Sequence, residues 1–95
     1  MRDTCKSIDL SGNGLGNEAA KLLAEMLPEL PYVKSVNLSE NNISNLGAQA
    51  LLNAFKAHPA LVQLQLDLNP LPSYLRVKIS QEAARKRERA TEEEN

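Results

Sequence analysis

Two residues and one segment of this 95-residue chain are of types that can perform chemistry: a single histidine, a single cysteine and a glycine-rich stretch. His58 stands beside Pro59 at the predicted end of a helix, and the pattern supplies no partners that converge on it, as a general base or a metal ligand would need. Cys5 has no second cysteine with which to form an internal disulfide or a cysteine metal cluster. Neither residue predicts a catalytic or metal site.

The glycine-rich segment SGNGLGN, residues 11–17, is comparable to loops that bind phosphate groups. No Lys-Ser or Lys-Thr pair follows it, and its glycines fall at the turn positions of an internal repeat, so we interpret it as a turn. The basic residues between positions 76 and 89 are interspersed with glutamates and lack aromatic neighbours, which favours a solvated helix over a nucleic-acid-binding surface. The sequence therefore predicts no enzyme and no cofactor.

Charge and hydropathy limit the partners. Eleven Lys and Arg residues against twelve Asp and Glu residues give a formal net charge of −1, so no overall field attracts the molecule to nucleic acid or to an acidic membrane. The first residues, MRDTCKSIDL, lack the basic start and the apolar run of a secretory signal, and nowhere do about 18 apolar residues follow one another. We expect one intracellular, cytoplasmic domain whose partners are neither nucleic acid nor membrane.

The chain repeats itself with a period of 28 residues. CKSIDLSGNGLG, which starts at Cys5, matches VKSVNLSENNIS, which starts at Val33, and a third copy starts at Leu61. A fixed period of this kind is the signature of stacked structural units, none of which can bury its apolar side alone. The sequence thus predicts a repeat domain in residues 1–85, with about three repeats, and a charged tail in residues 86–95.

Each copy changes its hydrophobic period halfway. Apolar residues first alternate with polar ones, as Ile8 and Leu10 do, which is typical of a short strand with one buried face. They then recur at three- to four-residue spacing, as Ala20, Leu23 and Leu27 do, which is typical of an amphipathic helix. Each unit is therefore predicted to be one strand followed by one helix. The predicted helix N-caps are Asn17, Asn45 and Ser73.

An asparagine recurs in the turn after each predicted strand. Turned inward, its amide can satisfy backbone groups of the turn that stacking removes from water, which a leucine could not do. The three structural asparagines are Asn13, Asn41 and Asn69. Asn42 lacks an equivalent role in the period, so Asn42→Ala is expected to be nearly silent.

The third copy departs from the pattern. Pro70 and Pro72 stiffen its turn, and its helix is expected to start later or to tilt. Leu75 and Ile79 are expected to pack on the second helix and to close the core. The following segment, QEAARKRERATEEEN, has no apolar stripe, so we expect it to be a solvated, fraying helix.

Three segments, CKSIDLSGNGL, VKSVNLSENNI and LVQLQLDLNPL, resemble the LxxLxLxxNxL motif of leucine-rich repeats. The period of 28 and the helical segment GNEAAKLLAEML resemble the ribonuclease-inhibitor-like subtype. The resemblance covers roughly residues 5–83 and implies an α/β fold: a short right-handed solenoid with parallel β-strands on the concave face and α-helices on the convex face. The subtype also occurs in tropomodulin-like actin cappers, in GTPase-activating proteins for Ran and in sensor regions of nucleotide-binding innate receptors.

The resemblance implies a non-catalytic protein-interaction module, or the terminal part of a larger repeat protein, that binds a protein partner of unknown identity. The alternatives are a self-associating structural scaffold and, by fold analogy alone, a regulator of a GTPase. Concave surfaces are the usual binding faces of solenoids. The residues predicted to form this face are Lys6, Asp9, Lys34, Asn37, Glu40, Gln63, Gln65 and Leu68. Leu68 either contacts the partner or packs under the Pro70 to Pro72 turn.

Two large apolar residues of the first predicted helix, Leu22 and Met26, occupy positions that the second copy fills with the smaller Ala50 and Ala54. The strand of the first unit would also present an unpaired backbone edge. We therefore expect that the chain forms a homo-oligomer through its first repeat, with Leu22 and Met26 in the contact, or else that it is cut from a longer array.

Overall fold

Residues 6–94 form three strand–helix units in a computed structural model, which describes the backbone of these residues and the side chains of residues 6–89. In chain order the units comprise β1 (Ser7–Asp9), α1 (Gly16–Met26), β2 (Ser35–Asn37), α2 (Asn45–Ala57), β3 (Gln63–Gln65) and α3 (Ser73–Glu94). A short 3-10 helix, Leu27–Glu29, follows α1. Cys5, the predicted first position of the first repeat, lies outside the described residues.

The three strands form one parallel sheet in the order β1-β2-β3. Their register is the sequence period, since Ile8 lies opposite Val36, and Val36 lies opposite Leu64. Parallel neighbours need a crossover connection, and α1 and α2 provide it here. The mixed fold of parallel strands and helices is therefore the one that the sequence predicts.

The core is completed by stacking of the units. In the second unit, which has a neighbour on both sides, Val36, Leu51 and Phe55 are fully buried. In the first unit, Ile8 and Leu10 are only half-buried, although they occupy equivalent strand positions. Burial of one such aliphatic or aromatic side chain contributes about 1.5 to 3 kcal/mol. A unit therefore gains most of its stability from its neighbours.

The third unit differs from the sequence-based expectation in two ways. α3 starts at Ser73, one period after the start of α2 at Asn45, so its start is not delayed. Leu75 and Ile79 are buried and close the core, as expected. The helix then continues to Glu94 without a break at residue 85, and Lys86 is buried rather than solvated. A charged residue is buried here because its ammonium group reaches free backbone carbonyls at the end of α2.

The capping of α2 also differs from the prediction. Asn17, predicted to cap the first helix, is the second residue of α1. Its Oδ1 accepts hydrogen bonds from the N–H groups of Ser44 at 3.0 Å and Gly47 at 2.8 Å, at the start of α2. A Cβ atom at Gly47 would lie 2.6 Å from this oxygen, so the close approach requires glycine. Asn17 thus caps the helix of the next unit.

The turns after the strands use left-handed backbone conformations. Gly12, Glu40 and Leu68 hold the same place in the three units, with φ of 74°, 58° and 60°. Gly14 and Asn42 hold a second such place, with φ of 60° and 58°. Glycine adopts this region freely and asparagine tolerates it, whereas other residues lose about 1 kcal/mol or more. Asn42 therefore does have a counterpart in the period, and Asn42→Ala is no longer expected to be silent.

Candidate functional site

The three repeated asparagines lie in one row across the units. Asn41 is fully buried, and its Oδ1 accepts hydrogen bonds from the N–H groups of Asn13 at 3.0 Å and Leu15 at 3.1 Å. Asn69 repeats this arrangement one unit on, since its Oδ1 accepts from the N–H groups of Asn41 and Ile43, both at 2.9 Å. We call Asn13, Asn41 and Asn69 the asparagine ladder. Each of the two buried members satisfies turn donors of the preceding unit.

A second row, which includes the residue after the 3-10 helix, the residue after α2 and a lysine within α3, was not predicted. Leu30, His58 and Lys86 are spaced by one period, 28 residues. The Nε2 atom of His58 lies 3.0 Å from the carbonyl oxygen of Leu30, and the Nζ atom of Lys86 donates to the carbonyl oxygen of His58 at 2.8 Å. The Nδ1 atom of His58 accepts from the N–H groups of Ala60 and Leu61, which assigns the ring proton to Nε2. Both ring nitrogens therefore serve the backbone.

Lys86 closes this row. Its Nζ atom also donates to the carbonyl oxygen of Phe55 and lies 4.7 Å from the centre of the Phe55 ring, a cation–π distance. Burial lowers the pKa of Lys86, while the neighbouring Glu82 carboxylate acts in the opposite direction. A cation at this place complements the partial negative charge at the C-terminus of α2. Extending the 28-residue alignment from Leu30 through His58 to Lys86 would have pointed to this contact.

The eight residues predicted to bind a partner lie on or beside one face of the sheet. Asp9, Asn37 and Gln65 lie side by side in register on the three strands. Because side chains alternate along a strand, Gln63 shares this face with Gln65 and opposes the buried Leu64. None of the eight is buried. We call this set the strand face: Lys6, Asp9, Lys34, Asn37, Glu40, Gln63, Gln65 and Leu68.

Charged side chains of the strand face, together with the neighbouring Asp67, form two rows. The exposed Lys6 and Lys34 stand just before β1 and β2. The exposed Asp9, Glu40 and Asp67 stand at or beyond the other ends of the strands. Because parallel strands bring like ends to the same edge of a sheet, a basic row borders the face on one side and an acidic row borders it on the other.

Two polar side chains of the face are held by their own turns. The carboxylate of Asp9 accepts hydrogen bonds from the hydroxyl of Ser11 at 2.7 Å and from its N–H group at 3.0 Å. These bonds, the hydroxyl first and the N–H second, lower the pKa of Asp9 from its ordinary value of 3.8. In the next unit, Asn37 accepts from the N–H of Ser39 at 3.0 Å. Both side chains are therefore oriented in advance of any partner.

Leu68 is the most exposed large apolar residue of the described chain, at 73%. Sequence reasoning left open whether it contacts a partner or packs under the following turn. Its exposure rules out the second alternative. It is also held at a φ of 60°, so this leucine is both unburied and conformationally unfavourable.

The remaining features concern self-association, metal binding and membrane spanning. Leu22 and Met26, predicted to mediate self-association, are exposed by 58% and 48% on α1. No group of three or more His, Cys, Asp or Glu side chains in the part of the chain that the structure describes is arranged to hold a metal ion. The helices of that same part include none with the length and apolar character needed to cross a bilayer.

Comparison with known proteins gives matches of two kinds. A family model described as Leucine Rich repeat matches residues 6–24 and 29–52. The chain is 40% identical over 67 residues to centrosomal protein of 78 kDa from Xenopus tropicalis, a match that covers 70% of the chain and 9% of that protein. It is 41% identical over 59 residues to protein NLRC5 from Homo sapiens, covering 62% of the chain and 3% of that protein. It thus spans less than a tenth of the length of these relatives.

Proposed function

We propose that this chain, whose residues 6–24 and 29–52 match a leucine-rich repeat model, is a non-catalytic protein-binding module and that its partner occupies the strand face. Domains built from this repeat generally mediate protein–protein interaction. The observation that carries the proposal is the exposure of Leu68 at a left-handed backbone position. Strained and exposed residues persist where the local cost serves a contact.

The charges of the strand face define the chemistry of the partner. A complementary surface would present acidic groups to Lys6 and Lys34, basic groups to Asp9 and Glu40, and an apolar group to Leu68. Such an arrangement allows only one orientation across the strands, because reversing it would oppose like charges. The rows therefore supply specificity, and Leu68 supplies the apolar contact.

The proposal extends to the subtype and the architecture. We infer the ribonuclease-inhibitor-like subtype, because the connections between strands contain full α-helices of 11 and 13 residues. We infer a right-handed solenoid, because crossovers between parallel strands of one sheet are right-handed in about 98% of cases. The absence of catalysis is part of the proposal and is supported by His58, whose ring nitrogens are both engaged with the backbone. An intracellular, cytoplasmic setting fits a chain with one cysteine.

The test compares Leu68→Gly with Leu46→Ala as a matched control. Leu46 is 59% exposed but lies on α2, away from the strand face. Glycine at position 68 should leave the fold intact and raise the free energy of unfolding by about 0.5 to 1 kcal/mol, because it relieves the left-handed conformation. Affinity capture from extracts of the source cell, followed by quantitative mass spectrometry, should recover a partner with the wild type and with Leu46→Ala.

The same capture with Leu68→Gly should lose most of that partner. A charge reversal on the basic row, Lys34→Glu, should weaken capture as well, whereas Lys56→Glu at the exposed end of α2 should not. Recovery of the same proteins at undiminished levels with both strand-face variants would refute the proposal.

A further inference from the structure

The two junctions between units are closed by the same hydrogen bonds. In each, four N–H groups of one unit donate to two carbonyl oxygens and one asparagine Oδ1 of the next. At the first junction, Leu10, Gly12, Asn13 and Leu15 donate to Asn37, Ser39 and Asn41 at 2.9 to 3.1 Å. At the second, Leu38, Glu40, Asn41 and Ile43 donate to Gln65, Asp67 and Asn69 at 2.8 to 2.9 Å.

The outer side of the first unit, which we call the head surface, carries the same acceptors once more. They are the carbonyl oxygens of Asp9 and Ser11 and the Oδ1 atom of Asn13. In the described chain none of the three receives the hydrogen bond that its counterparts receive from a neighbouring unit. Asn13 is exposed, and β1 is an edge strand. Within residues 6–94, the head surface is therefore a row of acceptors that no neighbouring unit covers.

The outer side of the third unit, which we call the tail surface, carries the matching donors. These donors are the N–H groups of Leu66, Leu68 and Asn69, which lie 28 residues after the donors of the second junction. Within residues 6–94 they donate to no partner. The fourth donor, the N–H of Leu71, is satisfied locally by the carbonyl oxygen of Asn69 at 2.7 Å. Three of the four donor positions are thus available on the tail surface.

We propose that a second copy of this chain docks head to tail, so that the tail surface of one copy continues the sheet and the asparagine ladder at the head surface of the next. The N–H groups of Leu66 and Leu68 then donate to the carbonyls of Asp9 and Ser11. The N–H of Asn69 donates to Oδ1 of Asn13. The contact reproduces, between copies, the junction that holds the units together within one copy.

The helices beside these edges are suited to the same contact. Within the chain, Ala50 and Ala54 of α2 face α1 across a groove of about 650 Å³. Their counterparts on α1, Leu22 and Met26, lie on the flank away from α2 and are exposed. In the proposed contact, these larger side chains would fill the space that the alanines leave open within the chain. On the tail surface they would meet Val77, which is 52% exposed. Val77 lies two periods after Lys21, a residue of α1 that lines the groove facing α2.

The tail surface also has a recess between β3 and α3 with a mixed lining. A cavity of about 150 Å³ opens there and is lined by the apolar Leu64, Leu66, Leu71 and Ile79 and by the polar Gln65, Asp67, Arg76 and Ser80. Burial of Leu22 and Met26 of one copy beside Val77 of the next would remove apolar surface of both copies from water. The hydrogen bonds would define the register, and the apolar side chains would supply the attraction.

Charge favours head to tail over head to head. The first helical segment, residues 16–29, carries Glu18, Glu25 and Glu29 and one basic residue, Lys21. The segment of α3 that corresponds to it two periods on, residues 73–85, carries Arg76, Lys78 and Arg85 and one acidic residue, Glu82. A head-to-head pair would oppose two acidic segments and two copies of the Asn13 acceptor. A head-to-tail pair joins the acidic segment to the basic one, so added salt should weaken association.

The test uses sedimentation velocity at increasing concentration, up to about 100 µM. The wild type should form oligomers that grow with concentration, because each added copy leaves one head surface and one tail surface free for the next. A head-blocked variant, Leu22→Glu with Met26→Glu, and a tail-blocked variant, Val77→Glu with Ser80→Glu, should each associate at least about tenfold more weakly, since the new charges would be buried without partners. Leu46→Glu, an equivalent change on the middle unit, should associate like the wild type.

Mixing supplies the decisive measurement. The head-blocked variant keeps an intact tail surface and the tail-blocked variant an intact head surface, so an equimolar mixture should form a one-to-one dimer that does not grow further. Dimer formation also shows that both variants are folded, and circular dichroism checks each alone. A monomeric wild type over the whole range, a tail-blocked variant that associates like the wild type, or a mixture of folded variants that stays monomeric would each overturn the proposal. None of these substitutions lies on the strand face, so binding of the partner proposed above can be measured separately from self-association.

Discussion

At the scale of single residues, the molecule is held together by polar side chains that serve a neighbouring unit. Asn17, Asn41 and Asn69 each bind backbone groups of an adjacent unit, and His58 reaches back to the carbonyl of Leu30. The asparagine amide suits this role because it offers an acceptor and two donors on one short side chain. Loss of such a group leaves backbone atoms of another unit unsatisfied away from water.

Replacement of Asn41 by leucine should lower the free energy of unfolding by about 1 to 3 kcal/mol, since the N–H groups of Asn13 and Leu15 lose their acceptor. Asn13→Leu is the matched control. Its side chain is exposed, so water can replace its bonds, and the change should cost less than about 1 kcal/mol. Urea denaturation followed by circular dichroism measures both. Equal midpoints for Asn41→Leu and the wild type would contradict the role of the ladder.

Ser11→Ala should raise the pKa of Asp9 toward its ordinary value of 3.8, because the hydroxyl is the leading cause of the lowered pKa. A lowered carboxyl pKa means that the folded state favours the carboxylate. The stabilisation is therefore present above the unfolded pKa and is lost as the pH falls through the folded pKa. Carbon-detected NMR of the Asp9 carboxyl over an acid titration measures the shift. Ser39→Ala, one unit away, should leave the pKa of Asp9 unchanged.

At the scale of elements, α2 is capped at both ends by side chains of its neighbours. Asn17 of the first unit accepts from N–H groups at its start, and Lys86 of the third unit donates to carbonyls at its end. These are the groups that a helix cannot satisfy internally. The middle helix therefore depends on both flanking units for its ends as well as for its buried face.

Lys86→Met should lower the free energy of unfolding by about 1 to 2 kcal/mol, because the carbonyls of Phe55 and His58 lose a charged donor while the aliphatic contact is retained. Arg89→Met is the matched control, since Arg89 lies one turn further along α3 and is exposed. Thermal denaturation compares the two variants. If Lys86→Met has the same melting temperature as Arg89→Met and the wild type, the capping role is wrong.

At the scale of the whole molecule, stability is shared between units. The middle unit is buried on both sides, the first unit is only partly covered, and α3 closes the third through Leu75 and Ile79. In such an array the free energy of each interface adds to the stability of the units beside it. A substitution that weakens the packing of α3 should therefore also destabilise the strands.

Leu75→Ala should lower the free energy of unfolding by about 2 to 4 kcal/mol, because it removes a fully buried side chain at the interface between α3 and α2. Hydrogen exchange should become faster in β3 and in α2 together with α3. Val77→Ala, on the exposed side of the same helix, should change stability by less than about 0.5 kcal/mol. A loss of protection confined to α3 would show that the units unfold independently.

The sequence alone determined the alternation of strand and helix, the parallel register and the row of asparagines. These follow from periodicity, because residues at equal spacing in stacked units must lie side by side, as Ile8, Val36 and Leu64 do. It also pointed to Leu75 and Ile79 as the closing contacts, since apolar residues at helical spacing are expected on the buried face of a helix.

Only the tertiary structure decided what each polar side chain binds. Asn17 looks like the cap of its own helix and caps the next one, and Lys86 looks like part of a solvated tail and caps α2. The exposure of Leu68 and its left-handed backbone were likewise not readable from its place in the motif. The physical reason is distance: a hydrogen bond forms within about 3 Å of a particular atom. Which backbone atom of another unit comes that close depends on how the units stack, whereas a hydrophobic pattern specifies only which face is buried.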